Sequence, residues 1–234
     1  MKTLFRDRSD AGCRIAAELA EFANRRDVIV LALPRGGVPV AYEVARALKA
    51  PLDVFVVRKL GLPGYEELAM GAIASGGVRV VNDDVVRQFR VNADAIDIVA
   101  DDELQELERR ETAYRNGRPP PNVAGKTVIL VDDGLATGST MRAAVLALRQ
   151  LHPAAVIVAV PVGAAETCEQ LKEYADKVLC TVMPDNFSAV GRWYIDFGQT
   201  SDEEVKELLV RAAQERPGGA GTIQGGKTFV PADR

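Results

Sequence analysis

The sequence predicts an α/β fold built on a doubly wound parallel sheet. Runs of β-branched and aliphatic residues alternate along the chain with segments of helical periodicity, which is the order of βαβ units. The runs are mostly apolar, and the one at 128–131 is apolar at every position, as expected of a parallel strand that is covered on both faces. They occur at residues 28–33, 52–57, 128–131, 154–160 and 177–182. The 234 residues of the chain are enough for one such domain without disulfides or metal ions to stabilise it.

Helices are predicted before, between and after these strands. Apolar residues at helical spacing mark residues 9–26, 38–49, 93–115, 139–150, 164–174 and 202–214. The long, polar-faced helix is followed by three prolines at 119–121, and we interpret about 93–116 as a helical insertion. The Gly-rich segment 61–77 is predicted to be irregular, with a short strand after it at 78–81. Residues 1–216 are thus predicted to form a single domain, and 217–234 a Gly-rich tail that is mobile or docks elsewhere.

The composition argues against several kinds of site and partner. His152 is the single histidine, and Cys13, Cys168 and Cys180 are widely spaced, which excludes a zinc site and a His-dependent triad. The cysteines have apolar neighbours and are expected to be buried thiols in a reducing compartment. No secretion signal and no run of about 18 apolar residues is found, so a cytoplasmic protein without membrane contact is expected. With a net charge of −4 and interspersed signs, nucleic-acid binding would need a local basic patch, and the sequence shows none of sufficient size.

The most informative segment runs from Val128 to Met141 and joins a predicted strand to a helix. Asp132 and Asp133 follow the strand directly, at the edge where open α/β sheets bind ligands. Small side chains then form a turn whose backbone N–H groups and helix start attract a phosphate. This turn consists of Gly134, Leu135, Ala136, Thr137, Gly138, Ser139 and Thr140. Because carboxylates repel a phosphate, the two acids face vicinal hydroxyls or a divalent cation. A ribose 5-phosphate with Mg²⁺ nearby meets these requirements, whereas an ordinary turn with a capping Thr or Ser leaves the paired acids unexplained.

This segment resembles the phosphoribosyl-pyrophosphate (PRPP) motif of type I phosphoribosyltransferases. That motif is a hydrophobic strand, two acids, two variable positions and then Ala/Ser/Asp-Thr-Gly-x-Thr. The resemblance implies the fold of that family, with a small hood at about 184–200, and transfer of a phosphoribosyl group from PRPP to a nitrogen nucleophile, which is expected to be a nucleobase. It implies Mg²⁺ as the cofactor, and a homodimer is expected. Asp132 and Asp133 would then hold the ribose 2- and 3-hydroxyls and the metal, directly or through water, and residues 134–140 would hold the 5-phosphate.

Two other predicted strand ends carry cations. Arg35, Gly36 and Gly37 follow the first strand and offer backbone donors and a positive charge to a pyrophosphate, although a Gly-rich helix start is the alternative. Arg58 and Lys59 are placed at the end of the next strand, where they would stabilise the departing pyrophosphate, although a solvated surface pair is the alternative. In the resembled family the first location is the pyrophosphate loop, which often has an unusual cis or strained peptide. The Gly-rich segment after Lys59 corresponds to a flexible lid.

The acceptor and the alternative functions depend on weaker features. Phe187, Trp193 and Tyr194 lie in an aromatic segment and are candidates for the base site by resemblance, with a second small core or a dimer contact as the alternative. Ala136 stands where 6-oxopurine members place an aspartate, which disfavours hypoxanthine and guanine and leaves the acceptor open. A PRPP-binding regulator with the same fold and little or no catalysis is the alternative function. A PRPP synthetase-like kinase would need an ATP site and a longer, duplicated chain.

Overall fold

The computed structural model describes residues 4–215, apart from the side chains of Glu66 and Glu67. In chain order the strands are β1 (Val28–Ala32), β2 (Leu52–Val54), β3 (Val57–Leu62), β4 (Tyr65–Ala74), β5 (Val78–Val81), β6 (Thr127–Val131), β7 (Ala155–Val162) and β8 (Lys177–Val182). The α-helices are α1 (Arg8–Glu18), α2 (Gly37–Leu48), α3 (Asp83–Gln88), α4 (Ala93–Arg115), α5 (Ser139–Gln150), α6 (Ala165–Leu171) and α7 (Asp202–Gln214). The predicted tail at 217–234 lies outside the described residues.

Five strands form a parallel sheet in the order β2-β1-β6-β7-β8. β1 pairs in parallel with β2 on one side and with β6 on the other. The chain leaves β1 through α2 toward β2, whereas it leaves β6 through α5 toward β7, in the opposite direction along the sheet. The carboxyl ends of β1 and β6 therefore flank a topological switch point, which is where sheets of this kind bind ligands. The predicted α/β fold with a parallel sheet is confirmed.

Helices cover both faces of this sheet, as the continuous apolar strands predict. Every residue of β1 and β6 is buried. Val30 and Ile129 belong to one core, which is shared with α1, α2, α4 and α7. Leu31 and Leu130 point the other way, into a core that is shared with α5 and α6. The sheet is thus doubly wound, because successive side chains of one strand reach opposite helical layers.

A second, antiparallel sheet corrects two predictions. The strand predicted over 52–57 divides, because β2 stays in the parallel sheet while β3 pairs with β4, and β4 with β5. The segment 61–77, predicted to be irregular because of its glycines, consists mostly of β4. Within that strand, residue 71 is glycine because a Cβ there would lie only 2.5 Å from the carbonyl oxygen of Val80. The glycine permits a close approach of β5 and does not make the segment irregular.

The helices also differ in part from the predictions. The helix predicted over 9–26 ends at Glu18, and a 3₁₀ turn at Ala20–Phe22 follows before Asn24, whose φ of 60° turns the chain toward β1. α3 was not predicted. Cys13 is exposed on α1, against the expectation of a buried thiol, whereas Cys168 is buried. Within residues 4–215, no helix is long and apolar enough to cross a membrane.

The long helix α4 confirms the predicted helix at 93–115 and is fixed to the parallel sheet at its carboxyl end. Arg115 is only 2% exposed. It donates to Asp53 Oδ1 at 2.9 Å, to Glu111 Oε1 at 2.6 Å and to the carbonyl oxygen of Val54 at 2.8 Å. A buried guanidinium with three acceptors is well satisfied, so this end of α4 is held firmly against β2.

Candidate functional site

Two loops meet at the switch point between β1 and β6. The first, residues 33–36, leads from β1 into α2, and the second, residues 132–138, leads from β6 into α5. Gly36 packs so closely against the Asp133 carboxylate that a Cβ would collide with it, and a Cβ on Gly37 would lie 2.7 Å from the carbonyl oxygen of Val131. The peptide bond between Pro34 and Arg35 is cis. The structure thus brings the two predicted Gly-containing loops together, and the contact requires the absence of side chains at residues 36 and 37.

The two motif acids lie at the centre of this junction and are both partly buried. Asp132 Oδ1 accepts a hydrogen bond from the backbone N–H of Asp133 at 2.8 Å. Burial raises the pKa of Asp132 well above its ordinary value, and the charge of Asp133 raises it further. Burial also raises the pKa of Asp133, against an opposing effect of Arg8. Two carboxylates held together with little water favour a ligand that brings positive charge or hydroxyl donors.

Arg8 is a site residue that the sequence did not reveal. Its Nε and Nη2 both contact Asp133 Oδ2, at 2.9 and 2.8 Å, and its Nη1 donates to the carbonyl oxygen of Gly198 at 2.6 Å. The guanidinium carbon lies 4.0 Å from the centroid of the Phe197 ring. Arg8 begins α1, and 125 residues separate it from Asp133. Nothing in the amino-terminal sequence marks Arg8 for this contact, because only the tertiary fold brings the two together.

The turn after the acids is open to solvent where a phosphate is expected. Ala136, Thr137, Ser139 and Thr140 are exposed. Gly138, with φ of 70°, is the N-cap of α5, and no side chain caps this helix start. The first turn of α5 also contains no acidic residue. The uncapped N–H groups and the helix dipole are therefore free of a competing carboxylate from this turn.

Grooves flank the turn on two sides. One has a volume of about 430 Å³ and lies between α5 and α6. The other, of about 510 Å³, lies between α5 and the antiparallel sheet. Ser139 and Arg142 line both grooves. Arg142 lies one helical turn into α5 and was not among the predicted site residues. Its position shortly after the predicted helix start at Ser139 could have indicated that it lies near the turn.

Two residues of the turn have structural roles. Leu135 is 3% exposed, and its backbone N–H donates to the carbonyl oxygen of Val162 at 2.8 Å. It also forms an isolated β-bridge with Gly163. Leu135, predicted to contact substrate, instead fixes the turn to the end of β7, since neither its side chain nor its N–H faces the loop surface. Gly134 packs beneath Val190, where a Cβ would collide with the Val190 side chain.

The predicted cations lie in different surroundings from those expected. Arg58 and Lys59 are the second and third residues of β3, not the end of a parallel strand, because the chain enters the antiparallel sheet at Val57. Arg58 Nε contacts Glu103 Oε2 of α4 at 2.6 Å. Lys59 is exposed and follows Arg58, so strand alternation places its side chain on the opposite face, away from α4. Arg35 lies 3.8 Å from Asp202 at the start of α7, a long and half-exposed ion pair that constrains it little.

The aromatic segment forms a small core, which is the alternative that the sequence left open. Trp193 and Tyr194 are 7% and 6% exposed and pack with Phe5 and Val162. The Tyr194 hydroxyl donates to the backbone carbonyl oxygen of Asp133 at 2.6 Å. Buried rings do not present a face to a ligand, so Trp193 and Tyr194 fix this segment against Phe5 and Val162. Phe187 is only partly buried at the edge of this core and stays the base-site candidate of the three.

The side chains at the switch point suit a metal ion that is bound jointly by the protein and a substrate better than one that is bound by protein ligands alone. In the part of the chain that the structure describes, no cluster of three or more His, Cys, Asp or Glu side chains could hold a metal ion. Asp132 and Asp133 supply two carboxylates. Mg²⁺ is commonly bound by one or two carboxylates together with substrate phosphates and water. The residues present therefore fit Mg²⁺ that arrives with a phosphorylated substrate.

A doubly wound sheet with an acid pair and an uncapped helix start at its switch point is an arrangement that α/β proteins use to bind phosphorylated ligands. The family described as "Phosphoribosyl transferase domain" matches residues 7–197. Two curated relatives, from two strains of Mycobacterium tuberculosis, carry the name "Putative phosphoribosyl transferase"; each is 49% identical over 212 residues, which is 91% of this chain and 48% of the relative. The chain belongs to the phosphoribosyl transferase family.

A solved structure of another protein has the same fold. The crystal structure of TT1426 from Thermus thermophilus is 42% identical in sequence and superimposes with a TM-score of 0.80, covering 89% of this chain and 98% of that one. The chain spans about half the length of the curated relatives that it matches. The comparisons thus show the family and the fold.

Proposed function

We propose that this protein transfers a 5-phosphoribosyl group from PRPP to a nitrogen nucleophile and releases pyrophosphate. The observation that carries the proposal is the junction of Gly36 and Gly37 with Asp132 and Asp133, beside the exposed turn that begins α5. This junction offers backbone donors for a pyrophosphate, carboxylates for a diol and a helix start for a 5-phosphate at one edge of the sheet. Family membership supports the same chemistry.

In this proposal each element has one task in an ionic substitution at ribose C1. The exposed turn holds the 5-phosphate through its N–H groups and the Thr137 and Ser139 hydroxyls, which lie 3.2 Å apart. Asp132 and Asp133 accept from the ribose hydroxyls. The bond from C1 to the pyrophosphate oxygen breaks, its electron pair leaves with pyrophosphate, and the acceptor nitrogen forms the new bond to C1. Such a reaction depends mainly on positioning and on stabilising charge.

Mg²⁺ is the cofactor that this proposal implies. When bound, it neutralises charge on the pyrophosphate and so makes it a better leaving group. Asp132 and Asp133 are the residues that would hold it, directly or through water. Arg35 and Lys59 are predicted cations whose side chains are exposed, and we assign both to the leaving group, together with the backbone of residues 35 and 36. Arg58 belongs to the same proposal, and its side chain pairs with Glu103.

The acceptor is proposed to be a nucleobase bound beneath the hood, beside Phe187. Ala136 gives the site no acid or base at the position where an aspartate serves the 6-oxopurine members. The acceptor must therefore present a nitrogen lone pair that needs no proton transfer to residue 136. A cytoplasmic location and a homodimer belong to the same proposal.

The paired acids provide the direct test. We expect the double variant Asp132→Asn/Asp133→Asn to lose Mg²⁺-PRPP binding in titration calorimetry, because the diol and the metal lose both carboxylates. The matched control is Asp101→Asn/Asp102→Asn, an exposed adjacent pair on α4. Both double variants should still unfold cooperatively. Equal Mg²⁺-PRPP affinity in the wild type and the Asp132/Asp133 variant would refute the assignment of the site.

A PRPP-binding regulator is separated from an enzyme by a second assay. Pyrophosphate release is measured with Mg²⁺-PRPP and a panel of purine, pyrimidine and other nitrogen nucleophiles. Release that depends on one acceptor supports the transferase. Tight PRPP binding without release from any acceptor supports the regulator instead.

A further inference from the structure

Arg8 joins the motif acids to the hood. Two hydrogen bonds, one to Asp133 Oδ2 and one to the carbonyl oxygen of Gly198, fix its guanidinium together with an ion-pair contact from Nη2 to Asp133 Oδ2, and the Phe197 ring covers one face. The Arg8 side chain is 12% exposed and that of Asp133 is 16% exposed. The contact is therefore well shielded from solvent, unlike an ordinary surface ion pair.

The identity of the side chain matters for this arrangement. A guanidinium donates from several nitrogens in one plane and stacks on an aromatic ring at the same time, whereas an ammonium group is a compact point charge. Arg8 uses three nitrogens on two acceptors and stacks on a ring. Lysine could keep the charge near Asp133 but would lose the contact with Gly198 or with Phe197.

The pairing also sets the charge of the site. Asp132 and Asp133 together would carry two negative charges beside the place where PRPP, a polyanion, is proposed to bind. The positive charge of Arg8 cancels one of them at a distance of 2.8 Å. Because the groups are partly buried, this cancellation acts through a lower effective dielectric constant than in water and is correspondingly stronger.

We propose that Arg8 is a positioning residue of the sugar site, which orients Asp133 and reduces the charge of the acid pair so that the site accepts a polyanion and binds free Mg²⁺ only weakly. The PRPP part of this inference rests on the proposed function. The Mg²⁺ part does not, since it concerns only the acids and the cation that this chain places beside them.

A purely structural clamp makes a different prediction. If Arg8 only held the hood in place, its loss would loosen the site and weaken the binding of both Mg²⁺ and PRPP. If Arg8 balances charge, its loss strengthens the attraction for a cation and weakens that for an anion. The two roles therefore predict opposite changes in Mg²⁺ affinity when Arg8 is lost.

The test compares Arg8→Gln with Arg14→Gln, by calorimetric titration with MgCl₂ alone and with PRPP without metal. Arg14 is the matched control because it lies on the same helix, pairs with Asp10 at 2.8 Å and lies 5.0 Å from the Phe5 ring, but does not contact the acid pair. For Arg8→Gln we expect Mg²⁺ to bind about tenfold more tightly and metal-free PRPP about tenfold more weakly, as removal of one nearby charge implies. Arg14→Gln should match the wild type in both titrations.

Arg8→Lys provides a further check, because its charge should restore the wild-type Mg²⁺ affinity and part of the PRPP affinity, with the remaining PRPP loss reporting the lost orientation of Asp133. Weaker binding of both ligands to Arg8→Gln, or no change in Mg²⁺ affinity, would overturn the proposal. If the wild type does not bind PRPP even with Mg²⁺, the proposed function fails, yet the MgCl₂ titrations of the two glutamine variants still decide the role of Arg8. Thermal unfolding of each variant shows whether it is folded.

Discussion

Substitution of Gly36 by alanine should damage the site through a single methyl group. A Cβ at residue 36 would collide with Asp133 Oδ2 and would lie 2.7 Å from Asp133 Cγ and 3.4 Å from Arg8 Nε. To reach ordinary van der Waals contact, the carboxylate oxygen must retreat by more than about 1 Å and the carboxylate carbon by about 0.7 Å. That movement pushes the carboxylate into Arg8 and away from the position where it would meet a ligand.

Two magnitudes follow for Gly36→Ala. Overpacking of this kind costs about 1–3 kcal/mol of unfolding free energy. A misplacement approaching 1 Å in a catalytic group lowers the rate about a hundredfold. We therefore expect a modest loss of stability in urea denaturation, together with a large loss in PRPP binding and in pyrophosphate release.

The control for Gly36→Ala is Gly125→Ala. Gly125 has φ of 68° and no atom within 4 Å of its Cβ position, so alanine there adds backbone strain without touching the site. It should cost about 1 kcal/mol of stability and leave ligand binding unchanged. Wild-type PRPP affinity in Gly36→Ala would refute the argument that the two loops must touch at residue 36.

Two further predictions concern α4. Arg115→Met should lower the unfolding free energy by about 3–5 kcal/mol in urea denaturation, because Asp53 and Glu111 lose their buried partner; a loss of less than about 1 kcal/mol would contradict this. Tyr114 donates to Asp202 Oδ1 at 2.7 Å, and burial raises the pKa of its hydroxyl to about 12. Since the folded pKa lies above the ordinary value of 10.0, the hydroxyl adds stability below pH 10 that is lost as the pH rises toward 12. The stability difference between wild type and Tyr114→Phe should therefore shrink over that interval, and a constant difference would argue against the shift.

Local patterns were sufficient to predict the parallel sheet and the position of the acids. The strands at 128–131 and 154–160 are continuous apolar runs, and such runs indicate burial without knowledge of the partner strands. Asp132 and Asp133 follow their strand directly, so the strand order alone is enough to predict that they lie at the switch point. The structure adds that both acids contact the glycines of the other loop.

Features that depend on distant residues were not predictable. The contact of Arg8 with Asp133 spans 125 residues. The antiparallel sheet was missed because glycines in 61–77 suggested irregular structure, whereas Gly71 serves the approach of a neighbouring strand. Trp193 and Tyr194 were placed in a base site because a local excess of aromatic residues does not show whether the rings face a ligand or each other.

The burial of Phe5 bears on how this protein should be shortened or tagged. Phe5 is fully buried, its N–H donates to the carbonyl oxygen of Trp193 at 2.8 Å, and its own carbonyl oxygen accepts from Ile195 at 2.8 Å. The family match begins two residues later, at residue 7. A truncation designed from that boundary would remove a ring on which Tyr194 packs, at 5.4 Å between centroids, and with it part of the support beneath Asp133. Affinity tags are better attached at the carboxyl end, so that the residues ahead of Arg8 keep their native partners.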